Sequence, residues 1–207
     1  MSATSSHTRR SAGNLFTKRR EPFQFMLWLG MGGSAIVFLF LLIAYIVRKD
    51  NGAWQEIALP RIFWLSTFTI GLSSLTLHWA NKAFRNESFL KYRFLVGSTL
   101  LLGFVFMVMQ GWGWQSMLRL GIRPSTSLAG GFVYLISGLH LLHILLGVVF
   151  LLIIFIDAIR RISYIDSFIY SVNPPNQLKL RLITLYWHFV DILWLALFLF
   201  LLYHHTK

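Results

Sequence analysis

Five long apolar segments, separated by short polar stretches, dominate the pattern of this 207-residue chain. A helix rises about 1.5 Å per residue, so about 20 apolar residues cross the roughly 30 Å hydrocarbon core of a membrane. None of the segments contains proline, which would interrupt the backbone hydrogen bonds that lipid surroundings require. The pattern therefore predicts an all-α integral membrane protein, a bundle of five transmembrane helices over residues 23–47, 62–80, 94–113, 128–156 and 183–203.

Polar sequence lies before and between these segments. We expect residues 1–22 to form a basic cytoplasmic N-terminal tail and residues 23–207 to form the membrane domain. The tail also has the composition of an organelle transit peptide, since it is rich in Ser, Thr and Arg, but a retained tail is the simpler interpretation. The longest connection between spans, from residue 157 to about 182, is polar.

Basic residues are distributed unevenly between the two ends of the predicted spans. Of the 19 Lys and Arg residues, 13 fall on the side of the N-terminus and 6 on the opposite side. Cytoplasmic segments carry the excess of such residues, so the N-terminus is expected to be cytoplasmic and the C-terminus periplasmic. The net charge of +12 then reflects topology and contact with anionic lipid, and no nucleic-acid partner is needed to explain it.

Composition narrows the class of protein further. Hydrophobic residues make up 56% of the chain and charged residues 13%, whereas soluble domains carry roughly 25% charged residues. Cysteine is absent, which excludes disulfides, thiolate metal sites and a cysteine nucleophile. No phosphate-binding loop, metal-ligand cluster or nucleophile–base pair is recognisable, so we predict no catalytic residue and no metal ligand. A subunit of a larger complex is the favoured class.

Two groups of polar residues lie inside the apolar runs, where such groups are costly and usually face the bundle interior. His140 and His143 are about 60° apart around their helix. Either could pair with a histidine of another helix to bind a haem, but interhelical or lipid hydrogen bonding is favoured.

The second group lies in the last span. Trp187, Asp191 and Trp194 share one helix face there, and His188 is close enough to Asp191 to hydrogen-bond to it. Asp191 could belong to a proton path, although a role in fixing helix packing or in holding a lipid is favoured.

These motifs resemble those of a known family. Residues 186–194, Tyr-Trp-His-Phe-Val-Asp-Ile-Leu-Trp, are similar to the last-helix signature Trp-His-Phe-x-Asp-x-x-Trp of subunit III of the haem–copper oxidases, the cytochrome c or quinol oxidase family. Residues 138–147 resemble that family's His-x-x-His stretch with its following glycine, and residues 73–76 resemble a Ser-Ser-x-Thr pattern. The resemblance covers residues 23–203 and matches the short five-helix form of the subunit.

The resemblance implies a non-catalytic subunit of a respiratory terminal oxidase, in which oxygen reduction is coupled to proton translocation. Haem and copper would be held by partner subunits, with no cofactor in this chain other than bound phospholipid. Oxidase subunit I would be the main contact, with subunit II, a small subunit IV and a larger respiratory supercomplex as further candidate partners. The location implied is the bacterial inner (plasma) membrane. The expected lipid-binding or structural residues are His140, His143, Trp187, His188, Asp191 and Trp194.

Two family acids are replaced in this chain. Ser34 stands where many members have a membrane-embedded glutamate, and Gly113 stands where many have an acid after the glutamine that ends the third of the five helices. A proton-uptake role that depends on those acids is therefore not expected here.

Two other classes of function stay open from the residues alone. A membrane cytochrome b would use the four histidines of the spans as haem ligands. A small proton-coupled carrier would use Asp191 and His188.

Overall fold

The computed structural model describes residues 20–49, 57, 59–125 and 127–205, and the described residues form six α-helices without a β-strand. Most of the predicted basic tail, residues 1–19, lies outside the described residues. The all-helical prediction is confirmed for the part of the chain that the structure describes. The helices are α1 (Arg20–Lys49), α2 (Ile62–Arg85), α3 (Phe89–Arg119), α4 (Leu128–Arg160), α5 (Tyr164–Val172) and α6 (Pro174–His205).

Each predicted span lies within one helix, but most of the helices extend beyond the apolar run. Hydropathy marks only the residues that suit hydrocarbon, whereas a helix ends where its backbone hydrogen bonds end. Within the described residues, α1, α3, α4 and α6 are long and apolar enough to cross a membrane. Helix α2 is 24 residues long and is less apolar, because six Ser and Thr residues lie between positions 66 and 76.

The polar connection over residues 157–182 is mostly helical. Helix α4 continues to Arg160, α5 follows it, and α6 begins at Pro174, nine residues before the predicted span. Proline is tolerated in the first turn of a helix, where the missing N–H would have no intrahelical partner. Arg93 of α3 fixes this corner by donating hydrogen bonds to the carbonyl of Ala158 at 3.0 Å and to Ser167 Oγ at 2.9 Å.

Helix α6 is the centre of the bundle. It contacts α1, α2, α4 and α5, while α2, α3 and α4 pack against one another in sequence around it. Helix α1 lies on the outside, against α4 and α6. The fully buried side chains accordingly include Trp187, Trp194 and Leu197 of α6.

Candidate functional site

A line of polar contacts joins α2 to α6 through the middle of the bundle, and we call it the polar seam. The indole Nε1 of Trp187 donates to Ser73 Oγ at 3.1 Å, and that of Trp194 donates to Thr67 Oγ1 at 3.0 Å. Nearer the start of α6, the Asn81 amide donates to Thr184 Oγ1 at 2.9 Å. The two tryptophans of the sequence motif are thus hydrogen-bonded to hydroxyls of one neighbouring helix.

The α2 hydroxyls can accept these bonds because their own protons are already used. Thr67 donates to the carbonyl of Phe63 at 2.7 Å, and Ser73 donates to that of Ile70 at 2.7 Å. A hydroxyl that donates to its own helix still has lone pairs for an N–H from a neighbour. Thr67 and Ser73, two of the six hydroxyl residues that make α2 less apolar, therefore serve as acceptors for α6.

Trp187 is held between two glycines. An added Cβ at Gly103 of α3 would lie 2.7 Å from Trp187 Cη2, and one at Gly147 of α4 would lie 3.0 Å from Trp187 Cε3. Side chains at these positions would occupy the space of the indole, which is completely buried. Three helices thus meet on one aromatic ring, and this explains the glycine that follows the two histidines in the sequence.

His188 and Asp191 do not pair with each other, so the expected i,i+3 hydrogen bond is wrong. His188 Nδ1 lies 2.6 Å from Ser74 Oγ on α2. Both Asp191 oxygens are buried without a hydrogen-bond partner among the described residues. The Asp191 side chain is buried at 7% exposure, and His188 bonds to a neighbouring helix instead.

His143 is satisfied entirely by groups of this chain. Its Nδ1 lies 2.8 Å from the Leu139 carbonyl and its Nε2 lies 2.9 Å from Ser34 Oγ. Because a carbonyl can only accept, Nδ1 carries the proton, and in the neutral ring Nε2 accepts from the Ser34 hydroxyl. Ser34 therefore ties α1 to α4 through His143.

His140 is completely buried inside the bundle. Its ring is 4.9 Å from that of Trp194 and 5.9 Å from that of Phe106, measured between centroids. Neither ring nitrogen has a hydrogen-bond partner among the described residues. His140 packs as an aromatic ring against α3 and α6, whereas His143 faces α1, so the two histidines serve different interfaces.

Gly113 of α3 is closely packed. A Cβ there would lie 2.5 Å from Phe63 Cε1 and 3.2 Å from Ile62 Cγ2, both on α2. Any side chain at this position would require the buried Phe63 ring to move. The small size of Gly113 therefore allows these two helices to pack closely here.

A cavity of about 930 Å³ opens at the end of the bundle where α2 ends and α6 begins. It carries the cations Lys82, Arg85 and Arg181, whose side chains are exposed, and the acid Glu87. Tyr164 of α5 donates a hydrogen bond to this carboxylate at 3.2 Å, which raises the pKa of Tyr164. The cavity also reaches inward between the helices, where its lining includes Gln24, Trp28, His78, Asn81, Gln177, Thr184 and His188.

Among the residues that the structure describes, no three His, Asp or Glu side chains gather as metal ligands. Both nitrogens of His143 are already engaged, and His140 and His188 contact different helices. This arrangement does not favour the membrane cytochrome b hypothesis.

Sequence reasoning identified the α6 side of the seam but assigned no role to its partners on α2. The sequence pattern indicates no role for Thr67 or Asn81, and it marks Ser73 and Ser74 only as part of a motif. The available signal was the run of hydroxyl residues at helical spacing on α2, which is unusual for a helix inside an apolar bundle. In the sequence, the cations of the cavity indicate only membrane topology, since their convergence depends on the tertiary fold.

Comparison with known proteins identifies similar chains. A family model described as "Cytochrome c oxidase subunit III" matches residues 55–206. Cytochrome c oxidase subunit 3 of Bacillus sp. (strain PS3) is 29% identical over 176 residues, which cover 83% of this chain and 80% of that protein.

Relatives from quinol oxidases match to a similar degree. Cytochrome bo(3) ubiquinol oxidase subunit 3 of Buchnera aphidicola is 23% identical over 193 residues, which cover 90% of this chain and 92% of that protein. The probable quinol oxidase subunit 3 of Staphylococcus aureus (strain USA300) is 28% identical over 134 residues, 65% of this chain and 62% of that protein.

Proposed function

Since the chain belongs to the cytochrome c oxidase subunit III family, we propose that it is the non-catalytic third subunit of a respiratory terminal oxidase in a bacterial plasma membrane. It is a subunit III of a haem–copper oxidase, and neither the family nor the geometry favours a cytochrome b or a carrier. Haem, copper and the oxygen chemistry are assigned to partner subunits. We assign subunit I as the main contact, with subunit II, a small subunit IV and a supercomplex as further partners.

Five helices cross the membrane in this proposal, with α2 as the fifth spanning helix. Its 24 residues extend about 36 Å, which exceeds the hydrocarbon thickness. Its hydroxyls are hydrogen-bonded to their own helix or to α6, so they do not need water. The N-terminus is assigned to the cytoplasm because Lys82, Arg85, Lys179 and Arg181 lie at the same end of the bundle as the start of α1.

The polar seam is the single observation that carries the structural role. The hydrogen bonds from Trp187 and Trp194 of α6 hold α2 against the bundle. Gly103 of α3 and Gly147 of α4, which enclose the Trp187 indole and which we call the glycine cradle, bring these two helices into the same contact. His140, His143, Trp187, His188 and Trp194 are accordingly proposed as packing residues that give subunit I a rigid surface to bind.

We expect this chain to purify with the other oxidase subunits and to carry no haem itself. The test is to purify the assembled oxidase through an affinity tag on this chain, identify every partner by mass spectrometry, and record the visible spectrum of the chain after dissociation. Haem absorbance that stays with the dissociated chain would contradict the proposal. Purification of the chain without any oxidase subunit would contradict it as well.

The cavity is proposed as the place where this subunit organises phospholipid. Its mouth presents Lys82, Arg85 and Arg181, while Trp28 and Leu185 offer apolar lining to an acyl chain. An anionic headgroup near the membrane surface gains about 1 kcal/mol from each nearby Lys or Arg. This combination suits a phospholipid whose phosphodiester headgroup binds the cations and whose acyl chains lie along α1.

Replacing all three cations by glutamine should weaken the binding of phosphatidylglycerol to the assembled oxidase roughly 100-fold, because about 3 kcal/mol of attraction is lost. Native mass spectrometry of the complex titrated with this lipid measures the change. The matched control replaces Arg48, Arg61 and Arg119, which lie at the opposite ends of their helices. Equal weakening in both triple variants would show a nonspecific effect of net charge and would reject the lipid site.

A further inference from the structure

Helix α5 exposes apolar side chains and buries polar ones. Ile165 and Ile169, about 40° apart around the helix, are 67% and 59% exposed, and Ile162 just before the helix is 80% exposed. Ser167 and Ser171, on the opposite side of the helix, are buried. A surface helix of a soluble protein shows the reverse arrangement, with its apolar stripe against the core. The polarity of α5 therefore indicates that a medium other than water covers its outer side.

The buried serines hold α5 in this orientation. Ser167 Oγ accepts a hydrogen bond from the Arg93 guanidinium at 2.9 Å and donates one to the Arg161 carbonyl at 2.8 Å. Ser171 Oγ donates to the carbonyl of Phe168 at 2.8 Å. Turning the helix over would break the bond to Arg93 and would place isoleucines against its guanidinium, which is unfavourable. The exposure of the apolar side is thus fixed by the fold.

Contacts place α5 at the level where the spanning helices end. The ring of Tyr164 packs against that of Phe89, the first residue of α3, with centroids 5.5 Å apart. The guanidinium of Arg161, directly after the last residue of α4, lies 4.1 Å from the ring of Tyr170. The exposed side chain of Ile159 extends the apolar surface of α4 toward α5. Because α3 and α4 are both long enough to span, α5 lies at the depth where lipid headgroups meet acyl chains.

The charges around α5 suit an anionic membrane surface. Asp157 is paired with Lys179 at 2.8 Å, whereas Lys91 and Arg160 are exposed. Exposed cations at this depth are attracted by anionic headgroups, and apolar side chains beside such cations are typical of helices that lie on membranes. Cations outnumber acids here, with Lys91, Arg93, Arg160, Arg161 and Lys179 against Glu87, Asp157 and Asp166.

We propose that α5 is an interfacial helix that inserts Ile165 and Ile169 among the anionic phospholipids of the leaflet at this end of the bundle. The cations around it bind the headgroups of that leaflet, which is the cytoplasmic one in the orientation proposed above. This surface differs from the lipid cavity, to which α5 contributes only Ser171 and Val172. The inference rests on the proposed spanning arrangement of the long helices, and it does not depend on which oxidase the chain joins.

Photocrosslinking in the assembled oxidase, reconstituted in nanodiscs of phosphatidylglycerol and phosphatidylcholine, tests the proposal. A benzophenone amino acid replaces Ile165 or Ile169, one at a time, and mass spectrometry identifies what the irradiated subunit has attached to. We expect phospholipid adducts, because a helix of this kind inserts about 5–10 Å into the boundary between headgroups and acyl chains. Their yield should be at least about tenfold higher than with the probe at Ser125, which is exposed in the loop between α3 and α4 at the opposite end.

The headgroups of the adducts test the role of the cations. We expect phosphatidylglycerol to be enriched about fivefold over its share of the nanodisc, the equivalent of about 1 kcal/mol from one cation. The double variant Lys91→Gln with Arg160→Gln should reduce this enrichment. Adducts that follow the bulk lipid ratio in the unaltered protein would overturn the assignment to anionic lipid.

The same probe at Phe40 of α1 or Leu101 of α3, both exposed on long helices, tests the spanning arrangement separately. Lipid adducts at either position, together with polypeptide adducts at Ile165 and Ile169, would show that a partner subunit covers α5 and would overturn the proposal. Yields at Ile165 and Ile169 no higher than at Ser125 would overturn it as well. Absence of lipid adducts at all four positions would contradict the spanning arrangement itself.

Discussion

Replacing Trp187 by alanine should destabilise the subunit by about 3–5 kcal/mol, the usual cost of removing a buried tryptophan. The indole is completely buried and fills the space between Gly103 and Gly147, so its loss leaves a cavity at the junction of α3, α4 and α6. Ser73 also loses the N–H that it accepts. The measurement is the unfolding of the full chain in mixed micelles with increasing sodium dodecyl sulfate, followed by circular dichroism.

Two further variants separate the contributions of the buried ring and of its N–H group to the loss of stability in Trp187→Ala. Trp187→Phe keeps a ring but removes the N–H, and we expect it to cost about 1–2 kcal/mol. Trp112→Ala removes the same type of side chain from a position that is 57% exposed, and it should change stability little. Equal destabilisation by Trp187→Ala and Trp112→Ala would contradict the claim that burial between Gly103 and Gly147 makes Trp187 more important for stability than an exposed tryptophan.

Adding one methyl group at Gly103 should cost about 1–3 kcal/mol, the range for overpacking a filled core. The new Cβ would lie 2.7 Å from Trp187 and 3.3 Å from Val148, and neither the indole nor the helices can shift freely. Gly138→Ala is the matched control, since its Cβ would meet Trp114 only at 3.8 Å, an ordinary contact distance. Thermal release of the subunit from the assembled oxidase measures both variants.

The double variant Gly103→Ala with Trp187→Phe provides a further check. Removing the outer ring atoms of the indole makes room for the new methyl group, so the two changes should cost less together than the sum of each alone. Strict additivity would mean that Gly103 and Trp187 do not interact. Unfolding of the double variant and of each single variant in sodium dodecyl sulfate, followed by circular dichroism, supplies the free energies for the comparison.

The helical spans were predictable because lipid admits few backbone arrangements. A run of apolar residues without proline, such as residues 128–156, can cross hydrocarbon only as a helix that satisfies its own hydrogen bonds. The start of α6 was not predictable in this way, since residues 174–182 are polar and carry no hydropathy signal. Their helical state depends on the first-turn proline and on packing against α5.

The candidate site was predictable in part. The 100° spacing of a helix placed Trp187, Asp191 and Trp194 on one face, and the three side chains are buried. Spacing along α6 also indicated that His188 could reach Asp191, yet Ser74 of another helix is its partner. A side chain chooses among all groups that the fold brings near it, and neighbours on the same helix are only some of them.

The sequence by itself determined the membrane class, the helical content and the motifs that carry family membership, because these depend on local length, polarity and order. Only the tertiary structure decided that Ser34 bonds to His143, that Gly113 must stay small beneath Phe63 and that Lys82 and Arg181 meet at one cavity. These pairs are separated by tens of residues in the chain, and their contact follows from the way α6 gathers the other helices around it.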